Sequence, residues 1–143
     1  MNLFGVMEIS SSALRAERER AEVVAANMAN AETTRTPEGG PYRRRHVVFR
    51  SNWLDFPTIL GGRLGAPAQG IEVQEVVADG TPPLRRFEPS HPDADKDGYV
   101  AYPAINPAEE MVDLMGAVRA YQLNASAVTA SKQMIQQSLE ILR

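Results

Sequence analysis

The amino-terminal part of the chain carries a row of apolar and small residues at alternating spacings of four and three. Only one position in this row, Glu17, is charged, and most other charged side chains of the segment fall outside it. Such heptad spacing is typical of a helix that packs along one side, and it predicts a helix from about Leu3 to Ala31. The predicted seam consists of Leu3, Met7, Ser10, Leu14, Glu17, Ala21, Val24 and Met28.

A second heptad row fills the carboxyl-terminal part of the chain, and a clear start signal precedes it. Asn106 has the character of an N-cap, Pro107 follows at the first helical position, and Glu109 lies three residues after the cap. These residues predict a helix from Pro107 to the end of the chain, about 55 Å long. Its seam consists of Met111, Leu114, Val118, Tyr121, Ala125, Val128, Lys132, Ile135, Leu139 and Leu142.

The middle of the chain has a different pattern. It holds every proline except Pro107, and its short apolar segments alternate with turn residues. The segments HVVF, GIEVQEVVA, PLRRF and GYVAY predict the strands of a small antiparallel β unit. Residues 52–70 predict a long loop.

These patterns predict a mainly α protein with a small β insert, in which long, coiled-coil-like paired helices at the two ends flank the small antiparallel β unit. The predicted divisions are 1–34 for the amino-terminal helix and the turn after it, 35–105 for the β-rich region with its loop at about 52–70, and 106–143 for the carboxyl-terminal helix.

The carboxyl-terminal helix is unusually poor in charge. Between Met111 and Leu139 only Asp113, Arg119 and Lys132 are charged. A long helix in water normally carries many charges and i,i+4 ion pairs, and the first helix can cover only one side of this one. A monomeric hairpin would explain the seam but not the neutral outer surface. We therefore expect other copies, or other proteins, to cover that surface.

Composition narrows the function classes. The 143 residues fit one domain, and the absence of cysteine excludes disulfides and thiolate zinc sites. A net charge of −3 is too small to indicate nucleic-acid or membrane binding by the whole chain, and the dense basic run at Arg43–Arg45 favours a strand edge or a subunit contact. The amino terminus lacks the features of a secretory signal, which taken alone favours a cytoplasmic protein.

The stretch HPDADKDGYV resembles the first half of an EF-hand calcium loop. Asp93, Asp95 and Asp97 alternate and are followed by Gly98, but the twelfth loop position is Ala104, which has no carboxylate. Prolines before the stretch also exclude the helix that such a loop requires. The pattern favours a polar turn, in which aspartates accept backbone N–H bonds and Gly98 adopts a positive φ, over a calcium site.

Catalytic chemistry has little support. The two histidines, His46 and His91, lie in no nucleophile motif and no metal-ligand spacing, and Glu109 and Glu110 fit the first turn of a helix as dipole partners. We predict no catalytic residues, no metal ligands and no cofactor, and therefore not an enzyme.

Three segments resemble the proximal rod proteins of the bacterial flagellar basal body. The first segment, AANMANAETTRTPEGGPYRRR, contains the axial-protein signature Asn-x-Ala-Asn-Ala-x-Thr and departs from the usual residues at Met28 and Glu32. The second segment, HPDADKDGYVAYPAIN, is more specific to these rod proteins and departs from the usual residue at Ala104. The third segment, EEMVDLMGAVRAYQLNASAV, contains an Arg-Ala-Tyr-x-x-Asn core. The residues from about 52 to 70 show no resemblance to these proteins. The signature positions are Asn27, Ala29, Asn30, Ala31, Thr33, His91, Pro92, Asp93, Asp95, Asp97, Gly98, Tyr99, Arg119, Ala120 and Asn124.

The resemblance implies a structural subunit of the flagellar rod that stacks into a helical tube and carries motor torque across the periplasm. It implies export by the flagellar type III apparatus without a cleaved signal, which reverses the cytoplasmic expectation. The implied partners are copies of itself, other rod proteins and, in transit, the export apparatus, with no nucleic acid and no small-molecule substrate. A neighbouring axial component and a calcium-binding interaction module remain the alternatives.

The resemblance also implies roles for particular residues. The Asp-rich segment becomes a structural turn before the long helix, and Asn27 and Asn30 are expected to bond backbone at the helix end, with simple C-capping as the alternative. The ends of the isolated subunit are expected to be disordered until assembly. The residues predicted to pack subunits together are Leu3, Met7, Leu14, Val24, Met28, Met111, Leu114, Val118, Tyr121, Val128, Ile135, Leu139 and Leu142.

Overall fold

The computed structural model describes residues 3–51 and 70–141. The predicted loop at 52–70, except for Gly70, and the predicted packing residue Leu142 lie outside these ranges. The elements are α1 (Leu3–Ala29), β1 (Arg45–Ser51), β2 (Ile71–Ala78), β3 (Leu84–Phe87), β4 (Tyr99–Tyr102) and α2 (Pro107–Ile141). The predicted fold class, two long terminal helices flanking a small β insert, is confirmed.

The start of α2 is capped as its sequence predicts. Asn106 Oδ1 accepts a hydrogen bond from the Ala108 backbone N–H at 3.1 Å, and the Asn106 side-chain amide donates to Glu109 Oε1 at 3.2 Å. The first intrahelical bond runs from the Glu110 N–H to the Asn106 carbonyl at 3.1 Å. This local chemistry, with proline at the first helical position, fixes where the chain leaves the β region.

The two helices pack together as an antiparallel pair. Asn27, near the end of α1, meets Glu110 at the start of α2, and Arg20, about two turns earlier in α1, reaches Asp113. The most buried apolar side chain of α2 belongs to a small residue, Ala117, which is 0 % exposed. Ser131, another small residue of the same helix, is 1 % exposed. Small residues therefore form the line of closest approach on α2.

The residues of the two predicted seams are buried to different extents in this helix pair. Every seam position of α1 is buried or half-buried, as are Leu114, Ala125, Val128 and Ile135 of α2. Contact through the small residues draws the contact line away from Met111 and Val118. In all, five α2 seam positions are exposed in the single chain. They are Met111, Val118, Tyr121, Lys132 and Leu139.

The strands form two antiparallel ribbons rather than one sheet. β1 pairs with β2 from Arg45 opposite Ala78 to Ser51 opposite Ile71, with a bulge at Val48/Phe49. β3 pairs with β4, and this second ribbon leads into a small core in which Val100 is 0 % exposed and Tyr102 and Ile105 are each 8 % exposed. All four predicted strands are present.

The β1–β2 ribbon lies along α1 and contacts it through both strands. From Ser12 to Asn27 the helix rises about 22 Å, and β1 spans a similar length of about 20 Å. Each end of the ribbon meets a polar side chain of α1, Asn27 at Arg45 and Ser12 at Ile71. Within residues 3–51 and 70–141, neither helix has a stretch long and apolar enough to cross a bilayer.

Candidate assembly surface and polar junction

The side of α2 turned away from α1 is an exposed apolar surface, called here the outer surface of α2. Val112, Met115 and Leu123 are 69 %, 66 % and 65 % exposed. The exposed apolar side chains of this helix are Met111, Val112, Met115, Val118, Tyr121, Leu123, Met134 and Leu139. Many large apolar side chains exposed along one helix are typical of an interaction site.

Three short polar side chains of α2 bond carbonyls of their own helix. The Asn124 amide donates to the Ala120 carbonyl at 2.9 Å, and the hydroxyls of Ser126 and Thr129 donate to carbonyls one turn earlier at 2.9 and 3.0 Å. These groups need no partner in water, and so their burial by a neighbour carries little desolvation cost. The outer surface of α2 is therefore suited to burial.

The exposed surface of α1 has the opposite character. Arg15, Arg18, Glu19 and Glu22 are exposed, and Arg18 forms an ion pair with Glu22 at 2.9 Å. The hydrogen bond and charge of Glu22 raise the pKa of Arg18. Alternating charges of this kind suit a face that stays in water. The hairpin thus has one charged and one apolar side.

A buried polar cluster joins α1, β1 and α2, and it is called here the polar junction. Asn27 is 1 % exposed, and its amide donates to the Arg45 carbonyl at 2.9 Å and to Glu110 Oε2 at 3.0 Å. Its Oδ1 accepts from the Arg45 backbone N–H at 3.0 Å and from the Tyr42 hydroxyl at 3.1 Å. Every hydrogen-bonding position of the Asn27 side chain is used.

Glu110 brings a buried charge into the polar junction. Its side chain is 1 % exposed, and Arg44 Nε and Nη2 each lie 2.5 Å from Oε1. Asp113 lies 3.8 Å from Arg44 and 3.4 Å from Arg20, at the rim. A groove of about 340 Å³ opens beside the junction, between the apolar side chains of α1 and β1 and this charged rim. Both arginine nitrogens meet the same oxygen, and Asn27 bonds the other, so the buried carboxylate has a cation and a hydrogen-bond donor that offset the cost of its burial.

The Asp-rich stretch forms the predicted turn. Asp95 Oδ1 accepts from the backbone N–H groups of Asp97 and Tyr99 at 3.0 and 2.8 Å, and Gly98 has a φ of 83°. Asp95 Oδ2 binds Arg85 at 2.5 Å. The backbone N–H of Tyr99 is the main cause of the lowered pKa of Asp95, assisted by the Asp97 N–H and Arg85 and opposed by desolvation. Asp95 therefore acts as an internal cap for the turn.

The remaining signature side chains nearby are also engaged. The Asp93 carboxylate accepts from the Thr34 hydroxyl at 2.8 Å and lies 3.7 Å from Arg35, while His91 Nδ1 accepts the Asp93 N–H at 3.1 Å. His46 lies 3.4 Å from Asp79. In the described ranges, no group of three or more His, Cys, Asp and Glu side chains is arranged to hold a metal ion.

The two signature asparagines differ in role. Asn30 bonds the end of α1, donating to the Ala26 carbonyl at 2.9 Å and accepting from the Thr33 hydroxyl at 3.1 Å, which confirms that expectation. Asn27 also bonds backbone from the end of α1, but its partner is Arg45 of β1 and not a carbonyl of its own helix, so the C-capping alternative does not apply to it.

The other signature positions lie apart from the polar junction. Ala29 and Ala31 follow Asn27 at the end of α1, Pro92 lies in the turn, and Arg119 and Ala120 lie on α2, with Arg119 exposed. Sequence reasoning missed Arg44, Tyr42 and Glu110 as members of one cluster. An acidic residue in the first turn of a helix is expected from the helix dipole alone, so nothing in the sequence indicated that Glu110 would be buried.

Comparison with known proteins identifies the family of this chain. Residues 96–141 match the family described as flagellar basal body rod FlgEFG protein C-terminal, and residues 7–35 match the flagella basal body rod protein family. Flagellar basal-body rod protein FlgC of Borreliella burgdorferi is 40 % identical over 154 residues, covering 100 % of this chain and 99 % of the relative. The chain belongs to the FlgC family of flagellar basal-body rod proteins.

Further FlgC relatives cover the chain as fully. The proteins of Bacillus subtilis and Escherichia coli O6:H1 are 37 % and 36 % identical, over 99 % of this chain and 99 % and 98 % of their own lengths. These relatives carry the FlgC name rather than that of a neighbouring rod component, and none has a calcium-binding name. As a FlgC-family member, this chain is a structural subunit of the flagellar basal-body rod.

Proposed function

We propose that this subunit builds the proximal rod by burying the outer surface of α2 against further copies of itself and other rod proteins. The resulting helical tube transmits motor torque across the periplasm. The observation that carries the proposal is that surface itself, with exposed apolar residues such as Met115 and Leu123 and few charges. Burying such a surface is strongly favourable, and each fully buried side chain contributes about 1.5–3 kcal/mol.

The contrast between the helices supports an open assembly. The apolar outer surface of α2 and the charged surface of α1 differ, so a neighbour that covers one does not complete the other. Contacts between two different faces are heterologous and generate helical tubes when they do not close into a ring. The terminal divisions, 1–34 and 106–143, would form the inner layers, with the 35–105 division outside and in contact with neighbours.

Torque transmission requires contacts that resist sliding. Residues such as Met111, Val118, Tyr121 and Leu139 are exposed in the single chain. Packed against a neighbouring helix they would interdigitate, and small residues between them would permit close approach. We propose that the predicted packing residues act in this way, with the half-buried members supporting the pair within one subunit.

We also propose a route by which the subunit reaches its site of assembly. The subunit would leave the cytoplasm unfolded through the flagellar type III apparatus, without a cleaved signal, and assemble in the periplasm. The absence of cysteine fits this route, because an oxidising compartment cross-links unfolded thiols.

The polar junction and the contacts of α1 with α2 should hold the helices together in the isolated subunit, whereas the parts of α2 that lack a partner should become fully ordered only on assembly, since burial then offsets the entropy lost. Hydrogen exchange on the purified chain tests this, and strong protection across residues 111–139 would contradict it.

The direct test of the proposed function uses basal bodies from a strain that lacks this gene. We expect the rod to be missing, and an intact rod in the micrographs would overturn the proposal.

A substitution test addresses the surface. Met115→Glu and Leu123→Glu introduce charge on the outer surface of α2, whereas Ala25→Glu places the same charge on the exposed side of α1. We expect the α2 variants to be exported but not incorporated, and the α1 control to build rods. Normal rods from both α2 variants would argue against this surface.

A further inference from the structure

The β1–β2 ribbon is held to the helices by few buried side chains. Val47, Ile71 and Val73 are half-buried, and the other residues of the two strands are exposed. An isolated two-stranded ribbon is at best marginally stable in water. Its fixed position on α1 therefore depends on contacts other than a hydrophobic core.

Asn27 supplies one of these contacts by imitating a strand. Its amide group donates to the Arg45 carbonyl at 2.9 Å and accepts the Arg45 N–H at 3.0 Å. This is the exchange of two bonds that a hydrogen-bonded residue pair makes in an antiparallel ladder. The side chain of a helical residue thus takes the place of a third strand at the first residue of β1.

The orientation of the Asn27 amide is fixed by its other two bonds. The Tyr42 hydroxyl donates to Oδ1 at 3.1 Å, and Nδ2 donates to Glu110 Oε2 at 3.0 Å. Glu110 belongs to α2 and is held by Arg44, which immediately precedes β1. Rotation of the amide would break bonds to β1, to α2 and to Tyr42 in the segment before β1, so the direction of β1 is coupled to both helices.

The other end of the ribbon has its own attachment. Ser12 Oγ accepts the Ile71 N–H at 3.1 Å and donates to the Ile9 carbonyl at 2.7 Å. The helix and the ribbon have matching lengths between these two attachments, about 22 and 20 Å. The ribbon is therefore anchored at both ends on one helix, and its angle cannot change without breaking one of them.

We infer that Asn27 is a positioning residue for assembly, which sets the angle at which the β1–β2 ribbon is presented to a neighbouring subunit. The inference rests on the proposed function in the rod. While this attachment holds, the ribbon would meet the neighbour in a single orientation, through its exposed apolar residues, which include Val48, Phe49, Val76 and Val77. Asn27 thereby acts on assembly through the ribbon and needs no contact with the partner.

The test measures ribbon orientation in the full-length chain. Because the chain has no cysteine, Glu19→Cys on α1 and Glu75→Cys on β2 introduce two unique and exposed spin-label sites. We expect a single narrow distance distribution in the otherwise unsubstituted chain. Asn27→Ala should broaden it several-fold and abolish the exchange protection of the Arg45 amide, with the helical circular dichroism retained.

Two controls separate positioning from general stability. Asn30→Ala removes the neighbouring asparagine, whose bonds stay within the end of α1. Ala16→Gly weakens α1 at a buried position that takes part in none of the hydrogen bonds between α1 and the ribbon. Both should keep the narrow distance distribution and build rods. Asn27→Ala should be exported but fail to build rods even where its melting temperature matches that of Ala16→Gly.

A narrow distribution and a protected Arg45 amide in Asn27→Ala would overturn the inference. If that variant unfolds, Tyr42→Phe removes only one bond to the Asn27 oxygen and keeps the ring. We expect it to broaden the distribution and accelerate Arg45 exchange to an intermediate degree, and no change in either would also overturn the inference. Failure of the unsubstituted chain to build rods would instead contradict the proposed function, whatever the label distances.

Discussion

Ser12 and Gly70 are in close contact where the β1–β2 ribbon begins to follow α1. The Ser12 hydroxyl accepts the N–H of Ile71, the next residue, at 3.1 Å, and a Cβ added at Gly70 would overlap that hydroxyl. Both residues are buried. Glycine is required here because the backbone approaches a side chain too closely for any Cβ, and not because of its φ angle.

Gly70→Ala should therefore displace the end of the ribbon. We expect a loss of about 1–3 kcal/mol, the usual cost of overpacking, with faster exchange of the Ile71 amide. Gly80→Ala is the matched control, because a Cβ there meets nothing within 4 Å. Denaturant unfolding measures both variants. Equal stability of Gly70→Ala and Gly80→Ala would show that Ser12 can move aside at no cost.

The elements of this fold were predictable because their signals are local. The Asn106 cap, the heptad rows and the alternating strand segments each lie within one short stretch, and the structure contains each element. The side of α2 that contacts α1 was harder to predict from the sequence. Apolar periodicity identifies large residues such as Met111 and Val118, whereas the two helices approach most closely at Ala117 and Ser131. Small residues carry almost no weight in a hydrophobic pattern.

The polar junction was not predictable for a different reason. Asn27 and Glu110 are 83 positions apart, and nothing in either local sequence distinguishes a capping side chain from a buried one. The signature around Asn27 identified the position but not its partner. Only the pairing of the helices, with β1 beside them, brings an arginine, a glutamate and an asparagine into one cluster.

The ion pair of Arg44 and Glu110 leads to a second prediction. Arg44→Ala leaves a carboxylate buried at 1 % exposure without its cation, and we expect a loss of about 3–5 kcal/mol in unfolding free energy. Arg43→Ala, at an exposed neighbouring position, should change stability by less than about 0.5 kcal/mol.

A double variant checks the cause of that loss. Arg44→Met with Glu110→Gln removes both charges but keeps an oxygen to accept the bond from Asn27. It should recover most of the stability lost in Arg44→Ala. A double variant as unstable as the single one would mean that the unpaired carboxylate is not the cause of the loss, because glutamine removes that charge and methionine restores the apolar stem.

Acid should weaken the Asp-rich turn through Asp95. Its pKa is lowered in the folded chain, chiefly by the backbone N–H of Tyr99, so its contribution is fully present above the ordinary aspartate pKa of about 3.9. That contribution is lost as pH falls through the lower folded pKa, because protonation then accompanies the loss of the N–H bonds. Carboxyl titration by NMR should place Asp95 below the ordinary value. A midpoint at or above that value would contradict the geometry of the turn.

Calcium should not bind the same stretch. Asp95 has both oxygens engaged by Arg85 and backbone N–H groups, Asp93 is bonded to Thr34, and Ala104 provides no carboxylate at the twelfth position. Calorimetry at millimolar calcium should show no binding heat, and the amide shifts of residues 93–99 should not move. Saturable heat that disappears in Asp95→Asn would restore the calcium interpretation.

Glu17 is a half-buried carboxylate in the α1 seam whose replacement should stabilise the hairpin. Its side chain is 13 % exposed, Oε2 has no hydrogen-bond partner, and the nearest cation, Arg20 Nη1, is 3.7 Å away. Arg20 keeps a second partner in Asp113 at 3.4 Å, so replacing Glu17 does not strand it. Glu17→Met removes the unsatisfied oxygen and adds apolar contact, and we expect a gain of about 1 kcal/mol or more. The exposed Glu19→Met should change the unfolding free energy by less than about 0.5 kcal/mol. A loss of stability in Glu17→Met but not in Glu19→Met would mean that the Arg20 pair contributes more than the orphaned oxygen costs.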